Sequence, residues 1–241
     1  MPTRIDLATT LLPREVQAIR DAITAALRLP DPQRPSQTIG QAKAGIYAFY
    51  DYDDEPIYVG QTAEGFGVRL GRHLTGQRSD AVAKYVLDPF EVRSVWMWSL
   101  PHIGDLPAKA RKAELDPYEY TVYKILLRTS AFNAILNEGE ILRAKPQRLP
   151  DPLKCVIIPD DIFPDRCHPD VRIARRAQTI SLLAKNISER KVSPGLRRAL
   201  LTQTKRLNAL ALARYEALGG VIEVEGAEGV VEEPEGLFVM P

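Results

Sequence analysis

The stretch from Gly45 to Gly60 constrains the fold of this chain more than any other. It reads Gly-Ile-Tyr-Ala-Phe-Tyr, then Asp51-Tyr52-Asp53-Asp54-Glu55-Pro56, then Ile-Tyr-Val-Gly. Period-2 alternation sets Ile46, Ala48 and Tyr50 on one side of a strand and Tyr47 and Phe49 on the other. The acidic, proline-ended cluster is turn chemistry. Ile57-Tyr58-Val59 has the β-branched and aromatic residues of a second strand, so the whole predicts a β-hairpin. Gly60 ends it at a point where the backbone needs freedom or close approach. Downstream, Arg69 and His73 stand four residues apart, so a helix there projects both from one face.

The remaining chain builds around that hairpin. Glu91–Leu100 alternates, with Val92, Ser94, Trp96 and Trp98 on one face and Arg93, Val95, Met97 and Ser99 on the other, which predicts a third strand. A short helix is expected over Asp80–Leu87. Residues 108–128 read as helical, with Pro117 marking a kink or a break between two helices. Strand, strand, helix, strand, helix describes a small α/β sheet, antiparallel at its opening hairpin. Ahead of it, residues 13–29 form an amphipathic helix through Val16, Ile19, Ile23, Ala26 and Leu27. Pro30-Asp31-Pro32-Gln33-Arg34-Pro35 cannot continue that helix and reads as a linker. Pro146–Pro169 reads as a connection, within which Cys155-Val156-Ile157-Ile158 offers an edge strand.

Residues 169–190 and 194–218 predict a helical hairpin. Ile173, Ala177, Ile180, Ala184 and Ile187 form its a/d seam, and Arg172, Arg175, Arg176, Arg197, Arg198, Lys205 and Arg206 decorate its outside. The functional reading of those cations is an arm that contacts a DNA backbone or a second copy of the chain; the plainer one is a solvated basic face. The expected organisation is a helix and proline-rich linker over 1–37, the sheet region over 38–150, a connection over 151–168, the basic hairpin over 169–218 and an acidic tail over 219–241. That tail reads as a solubilising segment. A sharper alternative has it occupy the basic arm until DNA displaces it.

Composition narrows the classes. The chain has 241 residues, ordinary apolar and charged fractions, and no apolar run of membrane-spanning length. Met1-Pro2-Thr3-Arg4 is not followed by a signal-peptide apolar core. The two cysteines, Cys155 and Cys167, have no zinc spacing and fit free thiols in a reducing cytoplasm. The net charge of +1 hides an asymmetry: residues 165–216 carry twelve Lys/Arg against four Asp/Glu, whereas residues 217–241 carry six Glu and no cation. Global charge is therefore no argument for a nucleic-acid partner, but its local distribution is relevant.

Gly45-Ile46-Tyr47, Tyr58-Val59-Gly60 and Arg69-Leu70-Gly71-Arg72-His73 occur in an order and spacing that resemble the GIY-YIG nucleases. That family spans homing endonucleases, an incision subunit of nucleotide excision repair and several restriction enzymes. The resemblance covers about residues 45–133. It implies a three-stranded antiparallel sheet flanked by helices and a metal-dependent DNA endonuclease that hydrolyses phosphodiester bonds. Restriction, repair and mobile-element roles share this site, and no base-reading motif separates them.

The resemblance assigns roles to individual residues. Tyr47 is the candidate general base, and Tyr58 a hydrogen-bonding partner of water or phosphate. Arg69 is the phosphate clamp, for which guanidinium geometry is suited. His73 polarises a phosphate oxygen, shuttles a proton or supports a tyrosine. Glu119 is the ligand of Mg²⁺, with Mn²⁺ as an alternative, and Asn133 positions the substrate or the metal-bound end of the site. Glu114 is the reserve carboxylate. Each has a plainer reading: amphipathic strand tyrosines, a surface arginine, a satisfied helix histidine, a solvated carboxylate and a loop cap. The Glu-to-Asn gap is longer than the family's, and the proline usual before the asparagine is absent. The competing class is therefore a catalytically decayed GIY-YIG fold that serves as a nucleic-acid-binding or interaction module. The helical elements offer a homodimer surface.

Overall fold

A computed structural model describes residues 12–74, 85–137 and 139–221. The first helix, α1 (Arg14–Leu27), follows Pro13 and buries Ile19, Ile23 and Ala26. Proline ends it, yet the next residues are not an extended linker. Strands β1 (Pro30–Asp31) and β2 (Arg34–Thr38) pair as a small antiparallel hairpin. Asp31 closes its turn by accepting from the Gln33 amide at 2.9 Å, and Ser99 donates to the same carboxylate at 2.6 Å. This side-chain turn, anchored 68 residues away in sequence, is what proline counting overlooks.

The central sheet has four antiparallel strands: β3 (Gly45–Tyr50), β4 (Pro56–Thr62), β5 (Ser94–Ser99) and β6 (Leu153–Val156), in the order β4-β3-β5-β6. Three strands are therefore too few. The Cys155 run supplies the fourth, with Lys154 opposite Trp96. The opening hairpin has the expected alternation, and Tyr47 lies opposite Gly60.

Every residue of β3 is buried because both sheet faces are covered. Tyr47, Phe49, Tyr58, Val95 and Met97 join the core under α1 and α2 (Phe66–Leu74). Ile46, Ala48, Tyr50, Val59 and Trp98 face α4 (Ala108–Thr129), which follows the short α3 (Pro101–Gly104). At about 1.5–3 kcal/mol for each large apolar side chain buried, this double layer dominates the fold's stabilisation. Pro117 lies inside one assigned helix rather than between two. Trp96 stacks on Tyr50 at 4.4 Å, with Lys154 over its ring at 3.7 Å, so it packs the sheet face. Of the helix expected over Asp80–Leu87, only Tyr85–Leu87 lie within the described residues; the acidic tail beyond Val221 lies outside them.

After α5 (Phe163–Cys167), the helices α6 (Pro169–Glu189) and α7 (Pro194–Ala217) form the expected hairpin. Its charged face is turned the other way. Arg172, Arg176 and Arg206 do not decorate the outside; they are 3%, 4% and 2% exposed. Asp51 Oδ2 accepts from Arg206 at 2.5 Å, Arg176 at 3.0 Å and Arg172 at 3.4 Å. Arg172 also pairs with Asp53, Arg176 with Glu91, and Arg175 with Asp88. The buried face of α6 is consequently Arg172, Arg176, Leu183, Asn186 and Ile187, rotated from the apolar seam. A pattern that counts arginine as polar places it outward; the carboxylates of the β3–β4 turn bring it inward. Leu183, Ile187, Leu196 and Ala199 share the core of the sheet, so hairpin and sheet are packed as one body. Cys155 and Cys167 are both free. Among the described residues no helix is long and apolar enough to cross a membrane.

Candidate functional site

The site forms at the far end of β4 from that turn. Strand β4 is an edge strand, and an uncovered edge exposes unpaired backbone groups. The loop after α4 covers part of it. The Leu136 amide donates to the Ile57 carbonyl at 2.8 Å. The Asn137 side chain accepts from the Val59 amide at 3.3 Å and donates to its carbonyl at 2.8 Å. Beyond Val59, three elements meet around Gly60–Gln61.

Tyr47 arrives from β3. A Cβ on Gly60 would overlap its hydroxyl, so the glycine makes room for the tyrosine ring to lie across β4. A Cβ on Gly45 would likewise overlap the Phe66 ring and the Trp98 carbonyl. Both motif glycines are thus demanded by close approach. Tyr47 is fully buried, and Tyr58 stacks beside it at 6.2 Å.

Arg69 arrives from α2. Thr62 Oγ1 accepts from the Gly65 amide at 3.0 Å, and Gly65 takes φ +113°, a left-handed conformation suited to glycine, so strand passes to helix in a tight turn. Phe66 and Leu70 enter the core and leave Arg69 half-buried at its edge. Its Nε donates to the Tyr47 hydroxyl at 3.3 Å, and its Nη groups have no partner among the described residues. Burial opposes its charge, but the neighbouring Tyr47, Tyr58 and Glu64 outweigh burial and hold its pKa above the ordinary value. Arg72 pairs with Glu64. His73 lies on the same helix, but its side chain is outside the described residues.

Glu119 arrives from α4, whose sheet-facing stripe is Leu115, Val122 and Leu126. Gln61 Nε2 donates to Asp116 Oδ1 at 2.6 Å and to Glu119 Oε2 at 3.1 Å. Burial, reinforced by the Asp116 charge, pushes the Glu119 carboxyl up to about 7; the Gln61 hydrogen bond, Lys112 and Arg69 pull the other way. The Arg69 charge therefore reaches Glu119 as well as Tyr47. Glu114 is exposed and five residues earlier, on a different helix face.

Sequence reasoning missed Gln61 and Asp116. Gln61 directly follows Tyr58-Val59-Gly60 and points to the opposite sheet face from Tyr58, while Asp116 precedes Glu119 by three residues on one helix side. Those positions are local, but the contact that joins them crosses from β4 to α4. Asn133 is not brought to Arg69. It sits at φ 49° in the loop after α4, lining a separate cleft with Tyr123 and Leu127.

No cluster of three or more metal-ligating His, Cys, Asp or Glu side chains occurs among the described residues. The donors at the site are the Glu119 and Asp116 carboxylates and Gln61, whose Oε1 is buried without a hydrogen-bond partner. This hard, all-oxygen and incomplete set fits Mg²⁺, which retains much of its water shell. Comparison with models of protein families, with curated proteins and with solved structures finds no match.

Proposed function

We infer that the chain is a metal-dependent DNA endonuclease of the GIY-YIG type. One observation carries the reading. Tyr47, Arg69 and Glu119, the residues to which the sequence resemblance assigns base, phosphate clamp and metal ligand, come from three elements; the Tyr47–Arg69 pair and the Gln61–Glu119 pair lie on the two faces of the sheet at the Gly60–Gln61 end of β4, near enough for the Arg69 charge to act on Glu119. Nothing in packing alone demands that a buried tyrosine, a half-buried arginine and a carboxylate raised to about 7 should share one end of an edge strand.

The chemistry follows from the groups. Arg69 Nε engages Tyr47 and would stabilise its phenolate, formed by loss of the phenol proton to solvent; that phenolate then takes the proton of the attacking water and returns to the neutral phenol as hydroxide forms. The two Nη groups of Arg69 remain to grip the scissile phosphate bidentately. Glu119 and Asp116 would hold Mg²⁺, and Gln61 keeps the two carboxylates at a common point. When bound, Mg²⁺ supplies Lewis-acid charge opposite the phosphate oxygens. Tyr58 supports the Tyr47 ring by stacking.

The test is cleavage of supercoiled plasmid with Mg²⁺, beside an EDTA control and Glu119→Ala. Wild type should nick or linearise the plasmid. Glu119→Ala should bind DNA but cut at least about 100-fold more slowly, the scale of losing one key electrostatic group. Undiminished cutting by Glu119→Ala removes Glu119 from the site; a wild type that binds DNA but never cuts favours the decayed module.

A further inference from the structure

The hairpin's buried arginines pair with Asp51, Asp53 and Glu91 and lie beneath the surface, out of a substrate's reach. Arg198, near the start of α7, is different. It is exposed and makes no ion pair among the described residues. With Tyr123, Leu127, Asn133, Asn137 and Ile141 it lines a cleft of about 110 Å³. No carboxylate among the described residues lines that cleft.

Position gives the cleft a meaning. Tyr123 follows Glu119 by four residues, on the same side of α4 and about 6 Å further along its axis. At an axial rise of about 3.4 Å per nucleotide that displacement spans one to two nucleotides, so it reaches the phosphate next along the strand. The lining divides its labour. Both ends of the Asn137 amide are taken by Val59, so Asn137 builds the wall. Asn133 holds a left-handed conformation that asparagine tolerates better than most residues, and its exposed side chain stands at the mouth. Arg197, Lys124 and Arg128 are exposed and also lack ion pairs among the described residues. A guanidinium without an ion pair, an amide and a phenol, with no opposing carboxylate among the described residues, make a receptor for an anion.

We propose that this cleft binds a backbone phosphate of the nucleic-acid strand adjoining the scissile phosphate, with Arg198 as its cation and Asn133 and Tyr123 as hydrogen-bonding partners. The identity of the anion as a polynucleotide rests on the nuclease reading; the cleft itself does not. Asn133 then serves the neighbouring nucleotide rather than the reacting one. The helical hairpin touches substrate through the start of α7, not through its arginine-rich inner face.

The experiment is fluorescence anisotropy of a labelled DNA duplex with the full chain in EDTA, across a salt series. Arg198→Gln should weaken binding several-fold and reduce the slope of log K against log salt by about 0.9, the value of one phosphate contact. Arg198→Lys should keep that slope. Lys205→Gln, which removes an exposed lysine further along the same helix, should change neither quantity. An unchanged slope in Arg198→Gln overturns the proposal, as does an equal fall in Lys205→Gln or a wild type that does not bind DNA. Thermal unfolding of each variant verifies that the fold is intact, as expected for exposed positions. The assay needs no cleavage, so the two readings fail separately. A wild type that binds with this pattern but never cuts keeps the cleft and loses the nuclease; one that cuts while Arg198→Gln keeps its slope does the reverse.

Discussion

The two ends of the β3–β4 hairpin each gather carboxylates and cations, with opposite outcomes. At the turn, Asp51 is 1% exposed and meets three guanidinium groups, while its other oxygen accepts the Asp53 and Glu55 amides at 2.9 and 3.1 Å. At the Gly60–Gln61 end, two carboxylates share one neutral amide, and their nearest cations, Lys112 and Arg69, act only at longer range. The first cluster is closed: positive charge is plentiful, and Arg172 holds the Asp53 carboxyl below its usual range. The second is open, with carboxyl oxygens in want of a cation. A count of arginines along the chain points to the closed end. What separates structure from chemistry is how completely each charge is answered.

Removing the answer at the closed end should have the largest effect. Asp51→Ala leaves Arg172, Arg176 and Arg206 buried and facing one another. Losing one partner of a buried ion pair costs about 3–5 kcal/mol, and denaturant unfolding should show a loss of that size. A loss below about 1 kcal/mol would mean that Glu91 and water absorb the charge, and the contrast between the two ends would collapse.

The open end should respond in the opposite sense. The Glu119 carboxyl rises from 4.5 to about 7 on folding, chiefly through burial. A group raised in this way contributes its stability in full below pH 4.5 and loses it as pH climbs through 7. Glu119→Gln, neutral throughout, should match wild type near pH 4 and exceed it by about 1–2 kcal/mol at pH 8, allowing for residual solvent screening. The same variant should cut no DNA. Stability gained where activity is lost is the mark of a site held in an unfavourable state for function; equal stability at pH 8 would class Glu119 with ordinary surface carboxylates.

The hairpin, the alternation of its first strand and the Arg69 helix were legible because each depends on local alternation and turn chemistry. So were α1 and the paired helices α6 and α7, from apolar spacing. The inward arginines were not, because arginine enters a core only against distant carboxylates, here hydrogen-bonded 85 to 155 residues away in sequence. The fourth strand was legible as an edge strand in the run Cys155–Ile158, but its bounds, Leu153–Val156, are set by pairing with β5. Within the site, Tyr47, Arg69 and Glu119 could be named from motif order, yet Gln61 and Asp116 could not. Their meaning lies in a contact between β4 and α4 that no spacing within either element reveals. Asn133 and Asn137 show the same limit: both follow α4, and only the Val59 backbone tells which of them secures the strand edge.

The smallest expected effect tests the link between the two carboxylates. Gln61→Met keeps a flexible side chain of similar length and removes a buried oxygen that has no partner, together with the amide that serves Asp116 and Glu119. The lost and recovered terms are of similar size, so stability at pH 5, where Glu119 is largely neutral, should change by less than about 1 kcal/mol. The pH dependence should still move. The Gln61 hydrogen bond lowers the Glu119 pKa, so without it the carboxyl stays neutral to higher pH, and the fall in stability that accompanies its ionisation shifts upward. Added Mn²⁺ should have to reach higher concentration before it raises the unfolding midpoint, because metal and proton compete for the same oxygen. A pH profile and Mn²⁺ response that both overlay wild type would show that α4 alone sets the separation of the carboxylates. The open end of the hairpin would then be held by helix geometry, with β4 a bystander to the proposed metal site rather than its floor.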